Sequence, residues 1–289
     1  MSRRVPGLVL GLVLLAAACG RLTEPADGGT GPPAGPDDLL LRVETGGGFV
    51  PVGSSFRELP AFSLYGDGRV IRPGAQIEIY PGPALPSLFV TRLTPEGVRA
   101  VLDAAREAGL AGPDRRYDWP VVADAPTTTF TFLDGDDRHV VSVYALGFEG
   151  SADAPRPPGV TEEELAARRD LTELALKLDD LRGWLPAGAI GAEEPYEPSA
   201  LRVLVQPYAG PAEPGLEQPE VAWPGEEPLA RFGQPWAELP DARCGIVAGA
   251  DLGPVLRAAA GANELTPWTS GGARYLLWFR PLLPDESGC

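Results

Sequence analysis

Two tight turns with alternating apolar residues on both sides fix the architecture available to this chain. In "AFSLYGDGRVI" the pair Asp67-Gly68 separates two short runs of period two. Such a pair favours the positive φ values of a type I′ hairpin turn. "TTTFTFLDGDDRHVVSVYAL" repeats the arrangement around residues 134–137. Hairpins of this kind commit the chain to antiparallel pairing, and the runs "LLLRVET", "IEIY" and "LFVTRL" read as further strands.

Helical periodicity interrupts the β-pattern at two places in the first half. Thr94 is a good N-cap, with Pro95 at the first helical position and Glu96 in the first turn; Leu93 is placed to staple onto Val98. Val98, Val101, Leu102 and Ala105 then follow helical spacing until Gly109. After a Pro-Asp-Arg loop and the second hairpin, Thr161 and Glu164 form a capping-box pair. The helix they open sets Leu171, Leu174, Ala175, Leu178 and Leu181 on one face. Past a low-order stretch at 186–198, "ALRVLVQPY" is a strand and the Pro- and Glu-rich region up to residue 240 is irregular. "RCGIVAG" is a short buried strand, "DLGPVLRAAAGA" a short helix and "ARYLLWFRPLL" a long strand. The expected fold is therefore α+β, with antiparallel sheets, a few packed helices and two subdomains. The boundaries are 1–18 leader, 19–38 tether, 39–185 first domain, 186–198 linker and 199–289 second domain.

The leader carries Arg3 and Arg4, then fourteen mostly apolar residues ending in small ones, which is the layout of an export signal. A spanning helix needs about 20 apolar residues, and Pro6, Gly7 and Gly11 interrupt this run. Leu15-Ala16-Ala17-Ala18-Cys19 resembles the lipobox of bacterial lipoproteins. That resemblance implies a diacylglyceryl group on the Cys19 thiol, cleavage before it, and further acylation by chains such as palmitate. Leu15 stands one place further from the cysteine than in the commonest pattern, and an ordinary cleaved leader with an incidental Cys19 is the alternative. Two acyl chains anchor a protein for long periods, at about 0.8 kcal/mol per buried methylene. The implied location is the outer face of a cell membrane. Residues 20–38 are rich in Gly, Pro, Asp and Thr; nineteen flexible residues span about 25 Å root-mean-square, enough to lift a domain off the headgroups.

If Cys19 carries lipid, Cys244 and Cys289 remain as an even pair. In an oxidising compartment a disulfide is their default state, with two free thiols as the alternative. No C-x-x-C pair exists for redox or zinc chemistry. The formal charge is −16; losing residues 1–18 removes two of 24 basic residues and none of 40 acidic ones, leaving −18. Such a surface repels nucleic acid and anionic headgroups.

"LYGDGRVI", then "LTPEGVRAVLDAAREAGL", then "DAPTTTFTFLDG" and a leucine-rich helix are similar to an exported bacterial domain family of unknown function. The resemblance covers about residues 39–181. It implies an α+β fold and an extracytoplasmic setting, and brings no catalytic residues with it.

Direct chemical signals are sparse. His139 is the chain's one histidine, so any triad must use it, and its place beside the 134–138 turn fits an ordinary strand position. Asp134, Asp136 and Asp137 lack the closing carboxylate of a calcium loop. Asp124 reads as a turn-capping residue. No catalytic residue, metal site or cofactor is called for. Of six tryptophans, Trp223 and Trp236 lie in the irregular region and are the candidates for an exposed aromatic surface that binds an envelope protein or glycan. The favoured function is a membrane-anchored, non-catalytic binding module with no nucleic-acid partner. An envelope-acting enzyme using carboxylates such as Asp67 and Asp124 is the rival, and a passive envelope component the third possibility.

Overall fold

A computed structural model describes residues 35–75, 79–150, 156–211 and 214–289. The leader, Cys19 and the tether up to residue 34 lie outside the described residues. In chain order the elements are β1 (Leu39–Gly46), β2 (Phe62–Tyr65), β3 (Arg69–Pro73), β4 (Leu88–Leu93), α1 (Pro95–Glu107), β5 (Arg115–Tyr117), β6 (Thr127–Asp134) and β7 (Asp137–Tyr144). There follow α2 (Glu162–Asp179), α3 (Leu181–Trp184), β8 (Ile190–Pro195), β9 (Ala200–Pro207), β10 (Val221–Ala222), β11 (Gln234–Pro235), β12 (Arg243–Ala248), α4 (Leu252–Ala260), β13 (Pro267–Ser270) and β14 (Ala273–Pro281). The fold is α+β.

One sheet has the order β5-β7-β6-β1-β2-β3-β4-β8 and the other β10-β13-β14-β9-β12-β11. Pairing is antiparallel except for the parallel edge pairs β5·β7 and β10·β13. Both hairpins form, and the first turn differs from the type I′ expectation. In the first, Gly68 alone adopts a positive φ of 82°, and its amide donates to the Tyr65 carbonyl at 2.9 Å. That is a three-residue loop closed by a left-handed glycine. A Cβ at Gly68 would sit 2.6 Å from the Leu93 carbonyl oxygen, so the turn is also a close packing contact. In the second, Asp134 faces Asp137 and Gly135 takes φ 65° with Asp136 at negative φ, the sign pattern of a type II′ turn.

The helices start where their caps place them. Thr94 Oγ1 accepts the Gly97 amide at 3.3 Å. Thr161 Oγ1 accepts the Glu164 amide at 3.1 Å while Glu164 accepts the Thr161 amide at 2.7 Å. Val101, Leu102 and Ala105 of α1 and Leu171, Leu174 and Leu178 of α2 join Leu41, Leu64, Phe130, Phe132 and Val143 in the main core. A second core gathers around the fully buried Trp268, whose ring meets Phe279 edge-on at 5.3 Å, together with Leu201, Val203 and Val255.

Three expectations are corrected. Residues 186–198, expected as a linker, carry β8, which pairs with β4 and extends the first sheet. Ile79 and Tyr80 of the expected "IEIY" strand are exposed and outside any strand, while 76–78 lie outside the described residues. β5 and β13 form where no strand was expected, because their three and four residues are too short for a periodic signal. The described residues from 35 to 289 belong to one compact unit. Phe56 packs with Leu204, Ala242 and Cys244, and Leu283 packs with Tyr65 and Ile71, so segments distant in sequence share cores. No helix among the described residues is long and apolar enough to cross a membrane.

The C-terminal tail is fastened twice. Cys244 and Cys289 form a disulfide with a Cα separation of 5.9 Å. Asp285 accepts from Arg42 at 2.7 Å and from the Tyr65 hydroxyl at 2.8 Å. Glu286 receives both Nη atoms of Arg280, at 2.6 and 2.7 Å, and the Leu283 amide at 2.9 Å. Burial alone would raise the Glu286 carboxyl, but these donors hold it below its ordinary value. Its contribution is therefore present at neutral pH and is lost as pH falls through the folded-state value. Glu286→Gln is expected to lower the melting temperature at pH 7 and to flatten the further loss on acidification to about pH 3. Parallel pH slopes for the two chains would contradict this reading of the tail.

Candidate functional site

The strands of the first sheet place three loops at one end. Gly46 at the end of β1 faces Thr127 at the start of β6, Thr127 faces Tyr144 at the end of β7, and Tyr117 of β5 pairs with Val143. Loops 47–53, 118–126 and 145–150 therefore leave the sheet side by side. They are joined by hydrogen bonds. The Phe49 amide donates to the Asp124 carbonyl at 3.3 Å, and the Ala145 amide to the Pro126 carbonyl at 2.9 Å. The Tyr144 hydroxyl accepts the Ala125 amide at 3.0 Å and donates to the Val122 carbonyl at 3.2 Å.

Beneath the loops lies a buried cation. Arg168 of α2 is 0% exposed; its Nε stands 2.7 Å from Glu149 Oε1. Its Nη2 donates to the Tyr144 and Ala145 carbonyls at 2.9 and 2.8 Å, Nη1 reaches the Tyr117 carbonyl at 3.4 Å, and the guanidinium lies 4.6 Å from the Trp119 ring centre. Burial pulls the guanidinium below its ordinary pKa while Glu149 opposes that pull. One side chain thus holds the backbone at the ends of β5 and β7 and the ring at the root of the middle loop.

Above this rigid base the surface is apolar. Phe49 is 92% exposed, and Val50, Val52, Val121 and Phe148 are also exposed, making five of the nine large apolar side chains exposed among the described residues. Residues 46–55 and 119–123 contain no charged side chain. Monomeric surfaces rarely gather apolar side chains in this way without an interaction to serve. The backbone is held in costly conformations here. Asp124 and Ala145 adopt φ of 56° and 54°, two of the three positive-φ non-glycine residues described. Such conformations cluster at functional sites and switch regions. Gly48, at φ 84°, admits no side chain, since a Cβ would stand 2.9 Å from the Asp124 carbonyl oxygen. Around the rim are Asp118, paired with Arg116 at 3.0 Å, Asp124, Glu238 and the partly exposed Glu58.

The residues singled out in the sequence fall elsewhere or serve other ends. Trp223 is half-buried, its ring edge-on to Phe232 at 5.7 Å and Trp268 at 6.2 Å, and its Nε1 donates to the Glu227 carbonyl at 2.9 Å. Trp236 is half-buried against Phe56 at 5.7 Å. Both rings pack inward rather than forming an exposed aromatic face, Trp223 against the second core and Trp236 against the cluster of Phe56, Leu204, Ala242 and Cys244. Asp67 accepts from Arg69 at 2.9 Å and from Arg92 at 3.1 Å. Burial alone would raise its carboxyl, but those bonds hold it below its ordinary value, so it is poorly suited to donate a proton. Asp124 is exposed, and what it contributes to its turn is its carbonyl; its carboxylate caps no backbone amide among the described bonds. Leu39, opposite Tyr65, and Gly46, opposite Thr127, put Asp67 and Asp124 at opposite ends of β1, about 24 Å apart along an eight-residue strand. The two do not converge on one substrate. His139 is half-buried opposite Phe132, and Asp134 receives Arg106 at 2.8 Å. Among the described residues no group of three or more His, Cys, Asp or Glu is placed to hold a metal ion.

The apolar end and its buried hub escaped the sequence reading. A signal for the hub exists, since Arg168 stands three residues from both Leu165 and Leu171 and so falls on the apolar stripe of α2. The chain matches no family model, no curated protein and no solved structure.

Proposed function

We propose that the chain is an extracytoplasmic lipoprotein, anchored through acyl chains on Cys19 to the outer face of the cell membrane, whose folded unit is a non-catalytic interaction module. The observation that carries the interaction reading is the three-loop apolar end, five exposed hydrophobic side chains held on a base fixed by buried Arg168. Rigid presentation of loops is the usual way a scaffold offers a binding surface. The separation of Asp67 from Asp124 weighs against the envelope-enzyme reading. The anchor reading draws support from the leader and Cys19, and from the disulfide, which suits an oxidising compartment. An envelope protein, a glycan or a lipid surface are the partner classes this setting offers; the acidic charge of −16 disfavours nucleic acid. Cys19→Ala is expected to move the protein from the membrane fraction to the medium and to abolish labelling by a fatty-acid probe. Unchanged fractionation and labelling would overturn the anchor.

A further inference from the structure

We propose that the three-loop end docks on a lipid bilayer, lowering Phe49, Val50, Val52, Val121 and Phe148 into the interface between headgroups and acyl chains. The inference deepens the interaction reading and takes its setting from the proposed anchor. Two observations carry it, and a third sets the class of lipid.

The first is chemical. The apex is one fully extruded phenyl ring flanked by valines, on segments 46–55 and 119–123, which carry no charged side chain. A bilayer interface accepts apolar side chains without demanding a complementary shape, and binding there scales with the apolar area buried. The backbone around Phe49 suits insertion: Gly47 and Gly48, at φ 77° and 84°, turn the ring outward, and the Phe49 amide is already bonded to Asp124.

The second is the length of chain outside the described fold. Cys19 and Gly35 are 16 residues apart, a covalent reach of at most about 55 Å. Residues 36–38 join the fold at the hairpin end, where the Gly66 amide donates to the Asp38 carbonyl at 2.9 Å and Arg69 pairs with Asp37. The three-loop end lies about 24 Å away along β1, well within that reach. An anchored chain can therefore set this end on the membrane that holds its lipid, and no other surface is so constantly close to it.

The third is charge. The exposed Asp124 and Glu238 at the rim, and the net charge of −18 once residues 1–18 are lost, oppose anionic headgroups, so the docking surface selects zwitterionic lipid. Added salt then strengthens binding to anionic vesicles by screening repulsion, the reverse of the behaviour of basic peripheral proteins.

The test uses residues 19–289 carrying Cys19→Ala, so that neither the apolar leader nor lipidation plays a part, with vesicles of phosphatidylcholine or phosphatidylglycerol in flotation. The comparison adds Phe49→Ser and Val121→Ser; both side chains are exposed, so the fold is kept. The double substitution is expected to weaken phosphatidylcholine binding by at least about tenfold. Asp136→Ser at the opposite end is expected to leave it unchanged. Binding to phosphatidylglycerol is expected to be weaker at low salt and to rise as salt is added. Equal vesicle binding with and without Phe49 and Val121 would overturn the proposal. So would a photo-crosslinker at position 49 of the wild-type chain in cells that yields a protein adduct and no lipid adduct, which would assign the surface to a protein partner. Absence of lipid on Cys19 would remove the anchor while leaving the vesicle result to stand or fall by itself.

Discussion

Arg168→Met is expected to destabilise the fold by about 3–5 kcal/mol, because it leaves Glu149 buried without its cation. The carbonyls of Tyr144 and Ala145 lose the guanidinium donor in the same step. Adding Glu149→Leu removes the stranded charge and is expected to recover part of the loss. Full recovery is not expected, since both carbonyls have lost the guanidinium and Ala145 keeps only the Phe148 amide. Denaturant unfolding of the three chains measures both quantities. A loss below about 1 kcal/mol in Arg168→Met would contradict the hub, because surface ion pairs alone contribute that little. The same substitution should loosen the loops selectively. Hydrogen exchange at 47–53, 118–126 and 145–150 is expected to accelerate more than exchange in the second sheet. Stability and the docking surface meet in this one residue: the side chain that fills the hollow under the loops also sets where they stand.

The second large effect concerns the tail. Cys244 and Cys289 are 45 residues apart, and closing a loop of that length restricts the unfolded chain by about 4 kcal/mol in the chain-entropy model. Replacing both by serine is expected to lower stability by that order and to make the melting temperature indifferent to reductant. The ion pairs of Asp285 and Glu286 act on the folded state, so they do not substitute for a constraint on the unfolded one. A shift of less than about 1 kcal/mol, or a wild-type melting temperature that ignores reductant, would contradict the disulfide's role.

The sequence announced the parts of this fold that follow local rules. Caps at Thr94 and Thr161, the left-handed Gly68 and Gly109, and alternation in 127–144 each depend on neighbours a few residues away. The α+β class follows from those signals alone. What stayed hidden depends on contacts between distant residues. β8 contains Glu193, Glu194 and Pro195, a composition that reads as a linker, yet it forms an edge strand whose exposed positions tolerate charge. Trp223 and Trp236 sit in a segment without periodicity, and only the second core and Phe56 decide which way the rings turn. Phe49 is hidden in the sequence for a different reason. In "GGGFVPVG" it stands among glycine, valine and proline, and nothing local shows that loops 118–126 and 145–150 bring further exposed apolar side chains to the same end of the sheet. Arg168 was legible in principle from its place on the apolar stripe, and a charged residue at such a position is worth reading as a buried hub.

The central claim is that Cys19 holds this fold on a membrane, and the intact mass of the wild-type protein extracted from its host's membranes tests it most directly. The account predicts a chain that begins at Cys19, heavier than residues 19–289 by a diacylglyceryl group and any further acyl chain, and lighter by two protons than the same protein after reduction. A chain that retains residues 1–18, or one whose Cys19 is free, would contradict it.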